Sequence, residues 1–183
     1  MRKLKSKFTA EDLHHLPSTD QMMELVRGKV YEIAPAGGRH GSVARRIASR
    51  LGNYADERRL REVFAAETGF ILRRNSDTVR APDAAFVSEG RLPEGDIPAG
   101  YPELAPDLVV EVLSPNDRGA EVASKVDDWL TAGVRLVWVL DPTSRTASVH
   151  RSGESVGELS QDDSLVGESV IPGFLCPTRG SFA

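Results

Sequence analysis

Apolar residues recur along this chain at two spacings, and each spacing marks its own kind of element. Over residues 41–56, Val43, Ala44, Ile47, Ala48, Leu51, Tyr54 and Ala55 fall at helical intervals and predict an amphipathic helix with one buried stripe. Arg45, Arg46, Arg50, Arg58 and Arg59 lie off that stripe, where a charge run ordinarily keeps a face solvated; contact with phosphate is the alternative. Residues 63–72, 79–87 and 108–113 have the content of strands, separated by Arg74-Asn75-Ser76-Asp77 and by a Gly/Pro loop over 89–106. A second helix is expected over 119–132, with Gly133 as its C-terminal stop, and the run 134–140 that follows reads as another strand, ended by Asp141-Pro142. Strand, helix and strand with short links predict a parallel pair joined by a right-handed crossover.

The flanks are shorter. Thr9 and Asp12 stand at capping-box spacing and open a short helix that Pro17 closes. Residues 23–34 around Arg27-Gly28 predict a hairpin, with a loop over 35–38 beyond it. After Pro142, residues 146–150 read as a strand, 152–164 as an exposed turn or hairpin, and 165–171 as a last edge strand. The class expected is therefore α/β or α+β: residues 1–7 form a flexible basic lead and 8–183 a single domain.

Composition narrows this modestly. A chain of 183 residues, 40% apolar and 27% charged, suits one mixed core. A net charge of −4 argues against coating nucleic acid by bulk electrostatics and leaves room for a local basic groove. Cys176 is the lone cysteine, so neither an internal disulfide nor a thiol-rich metal site can form, which fits a reducing cytoplasm. The basic N-terminus lacks the apolar stretch of a secretory signal. No apolar run approaches the ~18 residues of a membrane span, and the longest, 134–140, is interrupted by Arg135.

The chemistry starts from one misplaced charge. Leu108-Val109-Val110-Glu111-Val112-Leu113 reads as a central strand covered on both faces, and a glutamate there is costly unless it meets a metal, a cation or donors. Asp107 shares its face, but four residues at a ~3.3 Å rise put the two roughly 13 Å apart, too far to chelate one ion. Asp107, after Pro106, reads as a structural anchor for the preceding loop. Asp83 in Ala81-Pro82-Asp83, within the neighbouring strand-like segment, is the natural partner for Glu111; a turn aspartate after proline is its plainer reading. Lys125 lies at the margin of the apolar stripe Val122, Val126, Trp129, where it either snorkels to water or brings a cation opposite Glu111.

Three strings, Ala81-Pro82-Asp83-Ala84-Ala85-Phe86-Val87, Pro106-Asp107-Leu108-Val109-Val110-Glu111-Val112-Leu113-Ser114-Pro115 and Gly133-Val134-Arg135-Leu136-Val137-Trp138-Val139-Leu140-Asp141-Pro142, resemble the Uma-two family, grouped with restriction endonucleases in the PD-(D/E)xK nuclease superfamily. Met23-Glu24-Leu25 with Gly28, Arg39-His40-Gly41 and Glu67-Thr68-Gly69-Phe70 resemble further family motifs, so the likeness runs from about Phe8 to Phe174. The resemblance implies a restriction-endonuclease-like mixed sheet flanked by helices, with Asp83 and Glu111 as metal-binding acids. It implies Mg²⁺ or Mn²⁺ as cofactor and nucleic acid, expected to be DNA, as substrate. The lysine expected two residues after Glu111 is Leu113 here, and Lys125 is the cation carried into its role. Glu67 is a further candidate metal ligand. His40 is a candidate proton-transfer group, with its pKa expected to be depressed by the start of the first long helix. A homodimer would suit a two-stranded substrate.

The alternative is a catalytically silent module on the same fold that binds nucleic acid or a protein. There is no Gly-x-Ser-x-Gly elbow and no Walker-type loop, so serine hydrolase chemistry and nucleotide cofactors are not expected.

Overall fold

The computed structural model describes residues 7–16, 22–92 and 97–182; Pro17, the lead over 1–6 and part of the 89–106 loop lie outside them. Helix α1 (Ala10–His14) opens on the expected capping box: Asp12 N–H donates to Thr9 Oγ1 at 3.1 Å and Thr9 N–H donates to Asp12 Oδ2 at 2.8 Å. Strands β1 (Met22–Val26) and β2 (Lys29–Ile33) form the hairpin. Arg27 and Gly28 take φ of 52° and 79°, the paired positive values that a two-residue turn of the hairpin twist requires. Helix α2 (Gly38–Arg58) is longer than the periodic stretch at both ends and buries Val43, Ala44, Ile47, Leu51 and Ala55.

The next two expected strands are each broken in two. Residues 63–72 become β3 (Arg61–Ala65) and β4 (Phe70–Arg73), separated by a turn in which Glu67 has φ 74°. Residues 79–87 become β5 (Thr78–Arg80) and β6 (Ala84–Ser88), parted at Pro82, which has no N–H to give a ladder. The halves join different sheets. Ala81-Pro82-Asp83 is thus a crossing between sheets, and Asp83 precedes β6 instead of lying inside a strand.

Strand β7 (Leu108–Val112), helix α3 (Gly119–Ala132) and β8 (Leu136–Asp141) make the expected unit, with β7 and β8 parallel and Glu111 opposite Val139. Gly133 caps α3 at φ 103°. Strands β9 (Thr146–His150) and β10 (Gly157–Leu159) continue the sheet. The expected edge strand over 165–171 is only β11 (Ser164–Val166), which pairs with β12 (Leu175–Pro177) as a separate ribbon ahead of α4 (Thr178–Phe182). The reversal beyond Val166 is tight: a Cβ on Gly167 would meet Ile171 O at 2.3 Å, so the chain turns back where the strand was expected to run on.

The main sheet has the order β10-β9-β8-β7-β6-β3, and the second β2-β1-β5-β4. This is the mixed α+β architecture expected. The strand period of two divides the core: Leu108, Val110 and Trp138 pack with Ile47 and Leu51 of α2, while Val109, Val137 and Phe70 pack with Trp129 of α3. Glu111 therefore faces the α3 layer. No helix among the described residues is long and apolar enough to cross a membrane.

Candidate active site

Glu111 sits on the central strand with 7% of its surface exposed, so its carboxylate must find partners inside the protein. Helix α3 brings two. Trp129 Nε1 donates to Oε1 at 2.7 Å, and Lys125 Nζ reaches Oε2 at 2.9 Å. One helical turn separates Lys125 from Trp129, so both meet the same strand residue.

Lys125 has three partners. Beyond Glu111 it reaches Ala81 O at 3.2 Å and Glu24 Oε1 at 3.3 Å. Glu24, 2% exposed on β1, also accepts Ala81 N–H at 3.1 Å and Arg80 Nη1 at 2.6 Å. Arg80 in turn forks onto Asp128 Oδ2 through Nε at 3.1 Å and Nη2 at 2.6 Å. The lysine thus ties together β7, β1 and the peptide two residues before Asp83.

Asp83 is fixed against the other side of Glu111. Its N–H donates to Val110 O at 3.1 Å and its Oδ2 accepts Val112 N–H at 2.7 Å, so backbone bonds flank Glu111 on either side. His40, in the first turn of α2, places Nε2 3.3 Å from the same Oδ2. Among the described residues His40 Nδ1 is buried without a hydrogen-bond partner.

The charges around Lys125 are unequal. One ammonium lies between Glu24 and Glu111. Burial pushes the Glu111 carboxyl up to about 7, against the pull of Lys125, and Asp83 and Glu24 push the same way. Glu24, although buried, is held below the usual carboxylate range by Lys125 and Arg80. Burial opposes the Lys125 ammonium, but Glu111 and Glu24 outweigh it and hold it charged. For His40 the expectation reverses: the hydrogen bond to Asp83 raises its pKa against burial, and Asp117 adds to the effect. A carboxylate in contact outweighs the partial charge of a helix end.

A divalent ion fits the donor set at one edge. Asp83 and Glu111 offer hard carboxylate oxygens beside each other, and Asp83 Oδ1 has no hydrogen bond among the described residues. No group of three or more His, Cys, Asp or Glu that could hold a metal ion occurs among the described residues. Glu67 in particular is exposed in its positive-φ turn, and the expected three-acid set does not converge among the described residues. Mg²⁺ commonly takes one or two protein carboxylates and completes its shell with water and phosphate, which two acids satisfy.

Asp83, Glu111, Lys125 and His40 are brought together; Asp107 lies at the far end of β7. Sequence reasoning placed Glu24 in a family motif without a role at the site, missed Arg80 and Asp128, and took Trp129 for a core residue alone. For Glu24 a signal existed: it is a lone acid in the apolar strand Met22–Val26, as Glu111 is in its own. Arg80 and Asp128 carry no local mark, since they meet across 48 positions.

Comparison with known proteins agrees in scale with this picture. The profile of a family named Uma2 and described as "Putative restriction endonuclease" matches residues 10–179. A crystal structure described as "a putative nuclease belonging to DUF820", from Anabaena variabilis, superposes with a TM-score of 0.84 at 22% identity, covering 96% of this chain and 97% of that one. At that identity the likeness is one of fold. Among curated proteins none matches.

Proposed function

The chain belongs to the Uma2 family, and from that premise we propose that it is a metal-dependent endonuclease of the PD-(D/E)xK type that hydrolyses phosphodiester bonds in DNA. The observation that carries the reading is the buried Glu111, with one ammonium shared between it and Glu24, beside an Asp83 that keeps an oxygen free. That arrangement leaves excess negative charge at the carboxyl end of a central strand, where α/β sheets present their sites.

Asp83 and Glu111 would hold Mg²⁺ or Mn²⁺. When bound, such an ion polarises the scissile phosphate and lowers the pKa of a water that can attack it. Lys125 stays charged, so it acts as a fixed cation and not as a base. Its contacts to Ala81 and Glu24 are its longest, and either is the one it would release to reach a phosphate oxygen or the attacking water. Leu113, where the superfamily places its lysine, leaves this role to α3. His40, whose pKa Asp83 raises, stands beside that acid and would supply a proton to a departing oxygen.

A silent binding module on the same fold is the second reading. It is favoured by the engagement of both Glu111 oxygens by Trp129 and Lys125 and by the lack of a third acid. The two readings separate in one assay, nicking of supercoiled plasmid with Mg²⁺, Mn²⁺ or EDTA beside Asp83→Ala and Glu111→Ala. Metal-dependent nicking that both variants lose is the expected result; no nicking, with DNA still bound, establishes the module.

A further inference from the structure

Acid and base are mixed over most of this protein, but not on α2 before Asp56. Between Glu32 and Asp56 the sequence has no Asp or Glu, and that interval carries Arg39, Arg45, Arg46 and Arg50. Elsewhere Arg74, Arg80, Arg91, Arg135 and Arg151 each meet a carboxylate. Among the described residues the side chains of Arg39, Arg45 and Arg46 meet none and make no hydrogen bond. Arg50 donates only to a backbone carbonyl, Gly180 O, where α4 abuts the helix.

These cations are aligned. On an ideal helix Arg39, Ser42, Arg46 and Arg50 (i, i+3, i+7, i+11) fall within roughly 80° of one another, a row of hydrogen-bond donors about 16 Å long. The row flanks the buried stripe of Val43, Ile47 and Leu51, so the sheet does not cover it, and Arg39 and Arg50 are exposed. It also begins at the site, because His40, next to Arg39, contacts Asp83. In a protein of net charge −4, three arginines that no carboxylate meets, leading away from a cluster of carboxylates, are a local surface of opposite sign.

We propose that the Arg39–Ser42–Arg46 flank of α2 is the surface on which duplex DNA lays its phosphate backbone, guiding the strand from the arginine row toward Asp83 and Glu111. This rests on the nuclease reading for the identity of the substrate, but not on cleavage. Backbone contact without base readout makes the binding indifferent to sequence and steeply dependent on salt.

The test is fluorescence anisotropy of a fluorescein-labelled 30-base-pair duplex with the full chain in EDTA, and with Glu111→Gln in Mg²⁺, titrated across salt concentrations. Arg39→Ala/Arg46→Ala should lower the slope of log K against log salt by about 2 and weaken binding roughly 50-fold at 0.1 M salt, about one phosphate contact per arginine. Lys29→Ala/Arg73→Ala, which removes two exposed charges from the other sheet, should change neither. Arg39→Gln/Arg46→Gln, which keeps polar side chains, should behave as the alanine pair does at an unchanged Tm. An equal loss in the control pair, no change in the α2 pairs, or a wild-type chain that binds only RNA or no duplex would overturn the proposal. If the α2 pairs alone lose binding while the wild type never nicks in Mg²⁺, the surface stands and the nuclease reading falls. If nicking needs Asp83 and Glu111 while binding ignores Arg39 and Arg46, the reverse holds.

Discussion

Asp107, just before β7, and Glu111, near its end, are both buried, and the protein treats them differently. Asp107 is met by two guanidinium groups, Arg91 Nη1 at 2.9 Å and Arg135 Nη2 at 3.3 Å, and its Oδ2 accepts the Ser88 N–H and hydroxyl at 2.8 and 2.9 Å. Glu111 must share one ammonium with Glu24. Two cations to one acid make a satisfied anchor that pins the start of the 89–106 loop; Glu111 has only a share of Lys125, whose other acid, Glu24, also holds Arg80. Burial is the same at the two acids; the cations that meet them are not.

The largest effect that would test this contrast is on cleavage. Asp83→Ala or Glu111→Ala should lower metal-dependent nicking on the order of 10³-fold or more, since a bound metal supplies several kcal/mol of transition-state stabilisation. Asp107→Ala should leave the chemistry intact in whatever protein remains folded. Comparable loss of specific activity in folded Asp107→Ala would erase the distinction.

Stability should move the other way. Asp107→Ala frees two partly exposed arginines and leaves the Ser88 N–H and hydroxyl without their acceptor, and should cost on the order of 2 kcal/mol in urea unfolding. Glu111→Gln removes the buried charge and keeps one acceptor oxygen, for Trp129 or Lys125 but not both, and should cost less.

The pH dependence sharpens this. Because the folded protein holds the Glu111 proton up to about 7, it binds more protons than the unfolded chain between roughly pH 4.5 and 7. The Glu111 contribution to stability is therefore fully present at the low end of that window and lost as pH rises through it. In EDTA, Glu111→Gln should gain on the wild type by on the order of 1–3 kcal/mol from pH 5 to 7. A flat difference across that range would mean that Lys125 already neutralises Glu111. Added Mg²⁺ should shift the balance back toward the wild type alone, through ligand linkage.

The smallest effect expected is from Trp129→Phe, which removes one donor to Glu111 and keeps most of the packing. It should cost about 1–3 kcal/mol of stability, the penalty for an unmet buried acceptor, and push the Glu111 transition higher in pH. An unchanged transition would show that the indole positions the helix without tuning the acid.

Local rules fixed much of this fold because their causes are local. The α1 capping box, the Arg27-Gly28 turn, the α2 stripe, the Gly133 cap and the β7-α3-β8 unit each depend on residues a few positions apart. The same local logic singled out Glu111, an acid in an apolar strand, and could have singled out Glu24. It failed at Pro82 and at Glu67, where segments with continuous strand content divide and their halves join different sheets. Partner choice between strands is a long-range matter that strand content does not encode.

By itself, then, the sequence determined which residues could not be indifferent: buried acids that need partners, a lysine at the edge of an apolar stripe, arginines off one. Only the tertiary structure decided who the partners are. It placed Lys125 between acids 101 and 14 positions away, set His40 against Asp83 strongly enough to reverse the effect of its helix end, gave Asp107 two cations, and left Glu67 outside the cluster. The reason is physical. The cost of burying a charge is a property of the residue and its strand, readable in one dimension, whereas the compensation depends on which side chains converge in space once both sheets and both long helices are packed.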